Sequence, residues 1–194
     1  MALIRMCIPC HFGLESVLAY EIKKIGGENL TTRDGKISFD GDFSVLAKAN
    51  LWVATGERVL IELGSFTAKS FEELFNGVEK LPLEDYIGKF DAFPVKGYSL
   101  NSQLHSVPDC QKIIKKACVK RLSRVYGISY FEETGAKHQI QFSIQKDLVS
   151  IYLDTTGQGL HKRGYRRNSN DAPIKETLAA GIVDLARVRS NTVV

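Results

Sequence analysis

Residues 3–64 read LIRMCIPCHFGLESVLAYEIKKIGGENLTTRDGKISFDGDFSVLAKANLWVATGERVLIELG, and the order in which their apolar period switches decides the fold. Leu3 to Cys10 is a short β-type run. From Gly13 to Ile25 the period changes, with Leu14, Val17, Leu18, Glu21, Ile22 and Ile25 at helical spacing. Gly26-Gly27 stops that helix. Asn29 to Thr32 and Lys36 to Phe39 read as two short strands around Arg33-Asp34-Gly35, a tight-turn sequence. Asp42 is the expected N-cap of a helix from Phe43 to Asn50, with Val45, Leu46 and Ala49 turned inward. Arg58 to Leu63 alternates as a strand. The series is β-α-β-β-α-β, the ferredoxin-like order.

Working outward, Gly64 to Ala68 reads as a junction to a second unit. Ser70 to Lys80 is a helix capped by Ser70, with Phe71, Leu74, Phe75 and Val78 on one side. Pro82 to Lys89 is a turn or short helical piece, and Phe90 to Tyr98 a strand broken by Pro94, hence near an edge. Pro108 opens the longest helix, about Asp109 to Tyr126, which Gly127 ends. His138 to Gln145 and Leu148 to Asp154 alternate and are joined by Lys146-Asp147, an antiparallel hairpin. Gly157 to Asp171 is polar, basic and Gly-rich, and reads as a linker. Ala172 to Val188 is a last helix with Pro173 in its first turn. Thr192-Val193-Val194 reads as the start of a buried strand, so the sequence is expected to be a piece of something longer.

The 194 residues, 44% hydrophobic and 25% charged, suit an ordinary globular protein. No apolar run approaches the ~18–20 residues of a membrane span, and the first ten residues lack the h-region of an export signal. A cytoplasmic location and no membrane partner are therefore expected, with the four cysteines, Cys7, Cys10, Cys110 and Cys118, as reduced thiols. The net charge of +4 says little; its distribution says more. Between Cys110 and Phe131 there is no acidic residue, while Lys112, Lys115, Lys116, Lys120, Arg121 and Arg124 all fall there. His161, Lys162, Arg163, Arg166 and Arg167 form a second basic cluster. Charge segregated in this way points to a polyanion.

On a wheel of ~100° per residue, Ile114, Ala117, Cys118, Leu122 and Val125 of the long helix share one arc, with Arg121 inside it and Arg124 at its margin. Lys112, Lys115, Lys116 and Lys120 occupy the opposite arc. A solvated face would ordinarily carry acidic residues for i,i+4 pairs, and this stretch has none, so the lysines are expected to lack compensating charge. Tyr98, after Lys96-Gly97, is placed either to stack on an unpaired base or to fill the core. Asn101, Ser102, Gln103 and His105 form a polar loop.

Other motifs carry less. Cys7-Ile8-Pro9-Cys10-His11 matches the pattern for covalent haem attachment. That attachment needs export, and a four-ligand zinc site would need Cys110, Cys118 or His105 from the second unit. The expected reading is a strand ending in two thiols, with no metal. Gly157-Gln158-Gly159 is out of step with a dinucleotide fingerprint. No nucleophile-base set or paired carboxylates stand out, so no catalytic residue is assigned.

Ser102-Gln103-Leu104-His105-Ser106-Val107-Pro108-Asp109-Cys110-Gln111, with Lys115-Lys116-Ala117 after it, resembles the THUMP domain of bacterial RNA methyltransferases. So do Gly159-Leu160-His161-Lys162-Arg163-Gly164-Tyr165-Arg166 and Ala172-Pro173-Ile174-Lys175-Glu176-Thr177-Leu178-Ala179-Ala180, and Phe12-Gly13-Leu14-Glu15 fits the ferredoxin-like unit of that family. The resemblance is to the group once labelled N6-adenine-specific DNA methylases and now regarded as guanine-N2 methyltransferases of large-subunit rRNA. It implies an α+β fold: a ferredoxin-like domain over 1–65, a THUMP domain over 66–156, and over 157–194 a linker with the first helix of a Rossmann-like methyltransferase domain. That further domain would bind S-adenosylmethionine and carry the catalytic motifs, so this stretch would hold no cofactor itself. The expected partner is structured RNA, either rRNA or tRNA; oligomeric state is not written in the sequence. The expected RNA surface is Lys96, Tyr98, Ser102, Gln103, His105, Lys112, Lys115, Lys116 and Lys120, with Lys162, Arg163, Arg166 and Arg167 as a second patch. The alternatives are a THUMP module of a tRNA methyltransferase, a tRNA thiolation enzyme or a pseudouridine synthase, and a non-catalytic module whose basic face meets an acidic protein.

Overall fold

A computed structural model describes residues 3–164, 166, 168 and 171–187. It divides into two compact units, one of residues 1–61 with 155–194, the other of residues 62–154.

The first unit realises the β-α-β-β-α-β series: β1 (Ile4–Pro9), α1 (Glu15–Lys24), β2 (Glu28–Arg33), β3 (Lys36–Gly41), α2 (Phe43–Trp52) and the start of β4 (Leu60–Thr67). Its strands lie in the order β2-β3-β1-β4. β1 runs antiparallel to β3 (Ile4 opposite Gly41) and to β4 (Met6 opposite Ile61). α1 ends where Gly26 takes a φ of +95°, open to glycine without strain. Asp42 caps α2 as expected, its Oδ1 accepting from the Val45 amide at 2.9 Å. Met6, Ile8, Leu18, Ile22, Ile37 and Phe39 form a fully buried core.

Residues 155–187 belong to the same unit. Within the stretch read as a linker, Leu160 is buried in the core just described. Arg163 donates to the carbonyls of Val53 (2.8 Å) and Asn50 (2.6 Å), satisfying acceptors that the end of α2 leaves open. The last helix, α5 (Glu176–Leu185), is shorter than the Ala172 to Val188 expected. Lys175 ahead of it is extended, so Pro173 lies outside the helix. Gly181 lets α5 approach α1's flank closely, since a Cβ there would sit 2.4 Å from Leu14 Cδ1. The expected strand at Thr192-Val193-Val194 lies outside the described residues.

In the second unit β4 continues through Thr67, so Gly64 to Thr67, read as a junction, is strand. Then come α3 (Phe71–Glu79), a 3₁₀ turn (Leu83–Asp85), β5 (Val95–Leu100), α4 (Val107–Tyr126), β6 (Ile140–Gln145) and β7 (Leu148–Asp154). The order is β4-β7-β6-β5, with β5 parallel to β6 and β6 antiparallel to β7. Lys146 and Asp147, at φ of 52° and 62°, make the two-residue turn of that hairpin. The strand expected over Phe90 to Tyr98 begins only at Val95, because Pro94 has no N–H to pair, and it lies at the sheet edge. α3 and α4 bury Leu74, Val78, Ile114, Ala117, Cys118 and Leu122 together with Phe93, Ile140, Phe142, Ile144, Val149 and Ile151 of the sheet side. No helix among the described residues is long and apolar enough to cross a membrane.

Candidate nucleic-acid interface

α4 is twenty residues long, with a proline in its first turn, Asp109 beside it, and Gly127 at φ +65° closing its C-terminus. The Ser106 hydroxyl and the Lys112 ammonium hold the Asp109 carboxyl below its ordinary value. Its buried face is Cys110, Ile114, Ala117, Cys118 and Leu122. Val125, expected on that face, is 44% exposed, and in the last turn it is Tyr126 that packs on the core. Lys112, Lys116, Lys120 and Arg124 are exposed at four-residue intervals, which is ~6 Å per step along one side of the helix.

The expectation that these lysines lack compensating charge is corrected by the fold. Lys112 lies 3.6 Å from Asp109, and Lys120 lies 3.5 Å from Glu79, which also faces Arg124 at 3.8 Å. Lys115 pairs with Glu133 from the loop before β6. Glu79 stands on α3 and Glu133 far along the chain, so the i,i+4 rule applied to α4 alone could not find them. Lys116 makes no ion pair among the described residues, and Lys112 and Lys120 stay 78% and 62% exposed despite theirs. Lys115 is the exception in placement. It is a third exposed, with its ammonium 3.1 Å from the Phe93 carbonyl and 3.4 Å from the centre of the Phe93 ring. Arg121, read within the apolar arc, donates from Nε to Glu84 at 2.9 Å and also from its Nη2. That hydrogen bonding holds the Glu84 carboxyl below its ordinary value and raises Arg121 further.

The other expected residues fall elsewhere in this unit. Along β5, Val95 packs on the core while Lys96, Tyr98 and Leu100 are exposed. Strand alternation therefore puts Lys96 and Tyr98 on the sheet face turned away from α4. They do not share a surface with the lysine row. The loop after β5, expected as an RNA contact, is a structural splice. Ser102 donates to the Leu100 carbonyl (2.8 Å) and accepts from the Asp147 amide (3.0 Å), and the Gln103 amide donates to Asp147 Oδ1 (2.8 Å). The Gln103 carbonyl lies 3.0 Å from His105 Nδ1. Gln103 and His105 are exposed. Between α4 and the edge strand lies an open cleft of about 690 Å³, lined in part by Val95, Gln111, Lys112, Lys115, Lys116 and Glu133.

With this geometry in place, comparison with known proteins matches the RlmL ferredoxin-like domain over residues 5–60 and the THUMP domain over residues 68–154. The chain belongs to the THUMP-domain RNA methyltransferase family. It is 45% identical over 175 residues to YpsC of Bacillus subtilis (strain 168), named as an RNA methyltransferase, covering 89% of this chain and 45% of that protein. It is 31% identical over 177 residues to the ribosomal RNA large subunit methyltransferase K/L of Psychromonas ingrahamii (strain DSM 17664 / CCUG 51855 / 37), covering 91% of this chain and 24% of that one. The crystal structure of SMU.472, described as a methyltransferase complexed with SAH, superposes with a TM-score of 0.90 at 35% identity, over 98% of this chain and 51% of that chain. The chain thus spans between a quarter and about half of the length of these relatives.

The lysine row, Lys96, Tyr98 and the polar loop all lie in the THUMP domain. The second expected patch lies in the unit that holds the ferredoxin-like domain, and there the basic residues are largely fasteners. Arg163 closes α2, and Arg166 donates to the Ile174 carbonyl at 2.8 Å and faces Glu176 at 3.6 Å. Lys162 is exposed, and Arg167 lies outside the described residues. Sequence reasoning missed Glu57, which gathers His11 (3.1 Å), Lys175 (3.2 Å), His161 (3.8 Å) and the donating Thr177 hydroxyl (2.7 Å). Burial pushes the Glu57 carboxyl up, but the Thr177 and Lys175 hydrogen bonds and the Lys175 and His11 charges outweigh it and leave it lowered. Nothing in Gly56-Glu57-Arg58 signals this role, because its four partners come from three separate parts of the chain.

Proposed function

We propose that this chain is the RNA-capturing part of an S-adenosylmethionine-dependent methyltransferase that acts on guanine N2 of large-subunit rRNA. One observation carries the reading: Lys112, Lys116, Lys120 and Arg124 form an exposed cationic row along a helix held to the core by Cys110, Ile114, Ala117, Cys118 and Leu122. Such a row meets successive phosphates, a contact that positions RNA without reading its sequence. The kinship with a large-subunit rRNA methyltransferase supports rRNA as the target, and the relative complexed with SAH supports the methyl donor. The donor would bind outside the residues described, and no residue here is assigned to methyl transfer. Lys96 and Tyr98, on the opposite sheet face, would serve a second stretch of the strand, with Tyr98 stacking on an unpaired base.

Fluorescence anisotropy with a labelled hairpin RNA, and with the duplex DNA of the same sequence, tests the capture role. Salt-dependent RNA binding that Lys112→Glu with Lys116→Glu abolishes is expected. Absence of binding at low salt, or binding indifferent to the double substitution, refutes it. For the target, full-length protein with S-adenosylmethionine should raise N2-methylguanine in large-subunit rRNA by mass spectrometry; modification of tRNA alone would move the activity to that substrate.

A further inference from the structure

The cleft between α4 and β5 contains a cation already holding an anion. Lys115 is set apart from the exposed row. Its ammonium is fixed from below by the carbonyl and ring of Phe93, a fully buried residue that itself stacks edge-on against Phe131 at 5.4 Å. An ammonium offers three donors. One goes to Phe93, and the solvent side is taken by the Glu133 carboxylate. Lys112 and Lys116 line the same cleft, and Glu133 is the single acidic residue lining it among the described residues.

Glu133 is held in an unusual way. Its φ is +51°, a left-handed conformation that favours glycine or asparagine and that glutamate rarely adopts. The loop is tied down on either side of it. Phe131 is buried in the core, the Gly135 amide donates to the Phe90 carbonyl at 2.7 Å, and the Ala136 amide donates to Asp91 at 3.0 Å. Between those ties Glu132, Glu133 and Thr134 are exposed. A side chain on such a span is a tethered carboxylate that can leave its partner without unpacking the core.

We infer that Lys115, with Lys112 and Lys116, forms a phosphate subsite that Glu133 occupies in the free protein and yields when a phosphate group enters. A carboxylate and a phosphate present the same chemistry to an ammonium, anionic oxygens accepting charge-assisted hydrogen bonds. Glu133 therefore keeps the subsite closed to weak anions and lets in a ligand that also engages the neighbouring lysines. The identity of the phosphate as part of an RNA rests on the function proposed above; the subsite itself does not.

Three variants of the full chain decide it: Glu133→Gln, the same change with Lys115→Met, and Glu132→Gln, which alters net charge equally on the neighbouring residue. Each is titrated with inorganic pyrophosphate by thermal shift and with hairpin RNA by anisotropy. Glu133→Gln should raise affinity for both ligands about three- to fivefold, the range one partly exposed ion pair holds back. It should also steepen the RNA salt slope by roughly 0.7–0.9, one added phosphate contact. Adding Lys115→Met should erase both gains, and Glu132→Gln should produce neither. Equal or weaker pyrophosphate binding by Glu133→Gln overturns the inference, as does an equal gain from Glu132→Gln. Should Glu133→Gln lower the melting temperature without ligand, Glu133→Asp, which keeps the charge, must leave affinity at the starting value; a gain there is refuting too. A pyrophosphate gain with no RNA binding by any variant supports the subsite and rejects the RNA reading instead.

Discussion

Replacing Lys116 with glutamine should change the salt dependence of RNA binding more than replacing Lys120, although both lysines sit on the same side of α4. Lys112 to Arg124 is three steps of four residues, about 18 Å along the helix axis. That length covers about five nucleotides at 3.4 Å each, so each of the four cations can meet its own phosphate. Four contacts give a slope of log affinity on log salt near −2.8 on single-stranded RNA and up to about −3.6 on duplex. Raising salt from 50 to 200 mM should then cost about 50- to 150-fold in affinity. Lys116 has no carboxylate partner among the described residues, so its loss should remove a full contact, roughly 0.7–0.9 of slope. Lys120 and Arg124 share Glu79, so part of the Lys120 charge is already neutralised and its loss should remove about half as much. The assay is anisotropy of a labelled hairpin at four or more salt concentrations, with unfolding midpoints to confirm that these exposed substitutions shift stability by no more than ~0.5 kcal/mol. An unchanged slope for Lys116→Gln, or a larger change for Lys120→Gln, refutes the reasoning.

Gly97→Ala should destabilise the protein by about 1–3 kcal/mol in urea unfolding, because the new methyl would lie 2.2 Å from the Phe142 backbone oxygen, which cannot move aside as a side chain could. Glu57→Gln should speed amide exchange at the start of α5, because Lys175 loses its anionic partner and only one neutral carbonyl is left to accept from Lys175 and Thr177. Because the folded Glu57 carboxyl is lowered from its ordinary 4.5, its stabilisation is present above that value and is lost as pH falls through the lower folded value, a loss the glutamine variant should not show. In native protein at pH 8 none of the four cysteines should react quickly with a thiol reagent, since all are buried and burial pushes Cys10 and Cys118 up to about 12; one fast thiol would contradict this.

The β-α-β-β-α-β series, the caps at Asp42 and Ser70, the end of α4 at Gly127 and the Lys146-Asp147 hairpin were all legible in the sequence. Each depends on side-chain period or on backbone conformation within a few residues, and those are local properties. The exposure of Lys112, Lys116 and Lys120 was legible for the same reason, though not the tucking of Lys115 against Phe93 or the exposure of Arg124, and so was the resemblance that names the two domains. Contacts between distant residues were not. Arg163 looked like part of a basic patch and instead closes α2, because the open carbonyls it satisfies lie more than a hundred residues earlier. Lys96 and Tyr98 looked adjacent to the lysine row and instead face away from it, because only the pairing of β5 on β6 fixes which strand face meets α4. Glu79 and Glu133 temper a helix that seemed free of acid, and Glu57 gathers partners from both ends of its unit. Charge acts through space over a few ångströms, whatever the separation along the chain. The sequence by itself therefore determined which residues could form a cationic face, and the tertiary structure alone decided which of those charges are already spent.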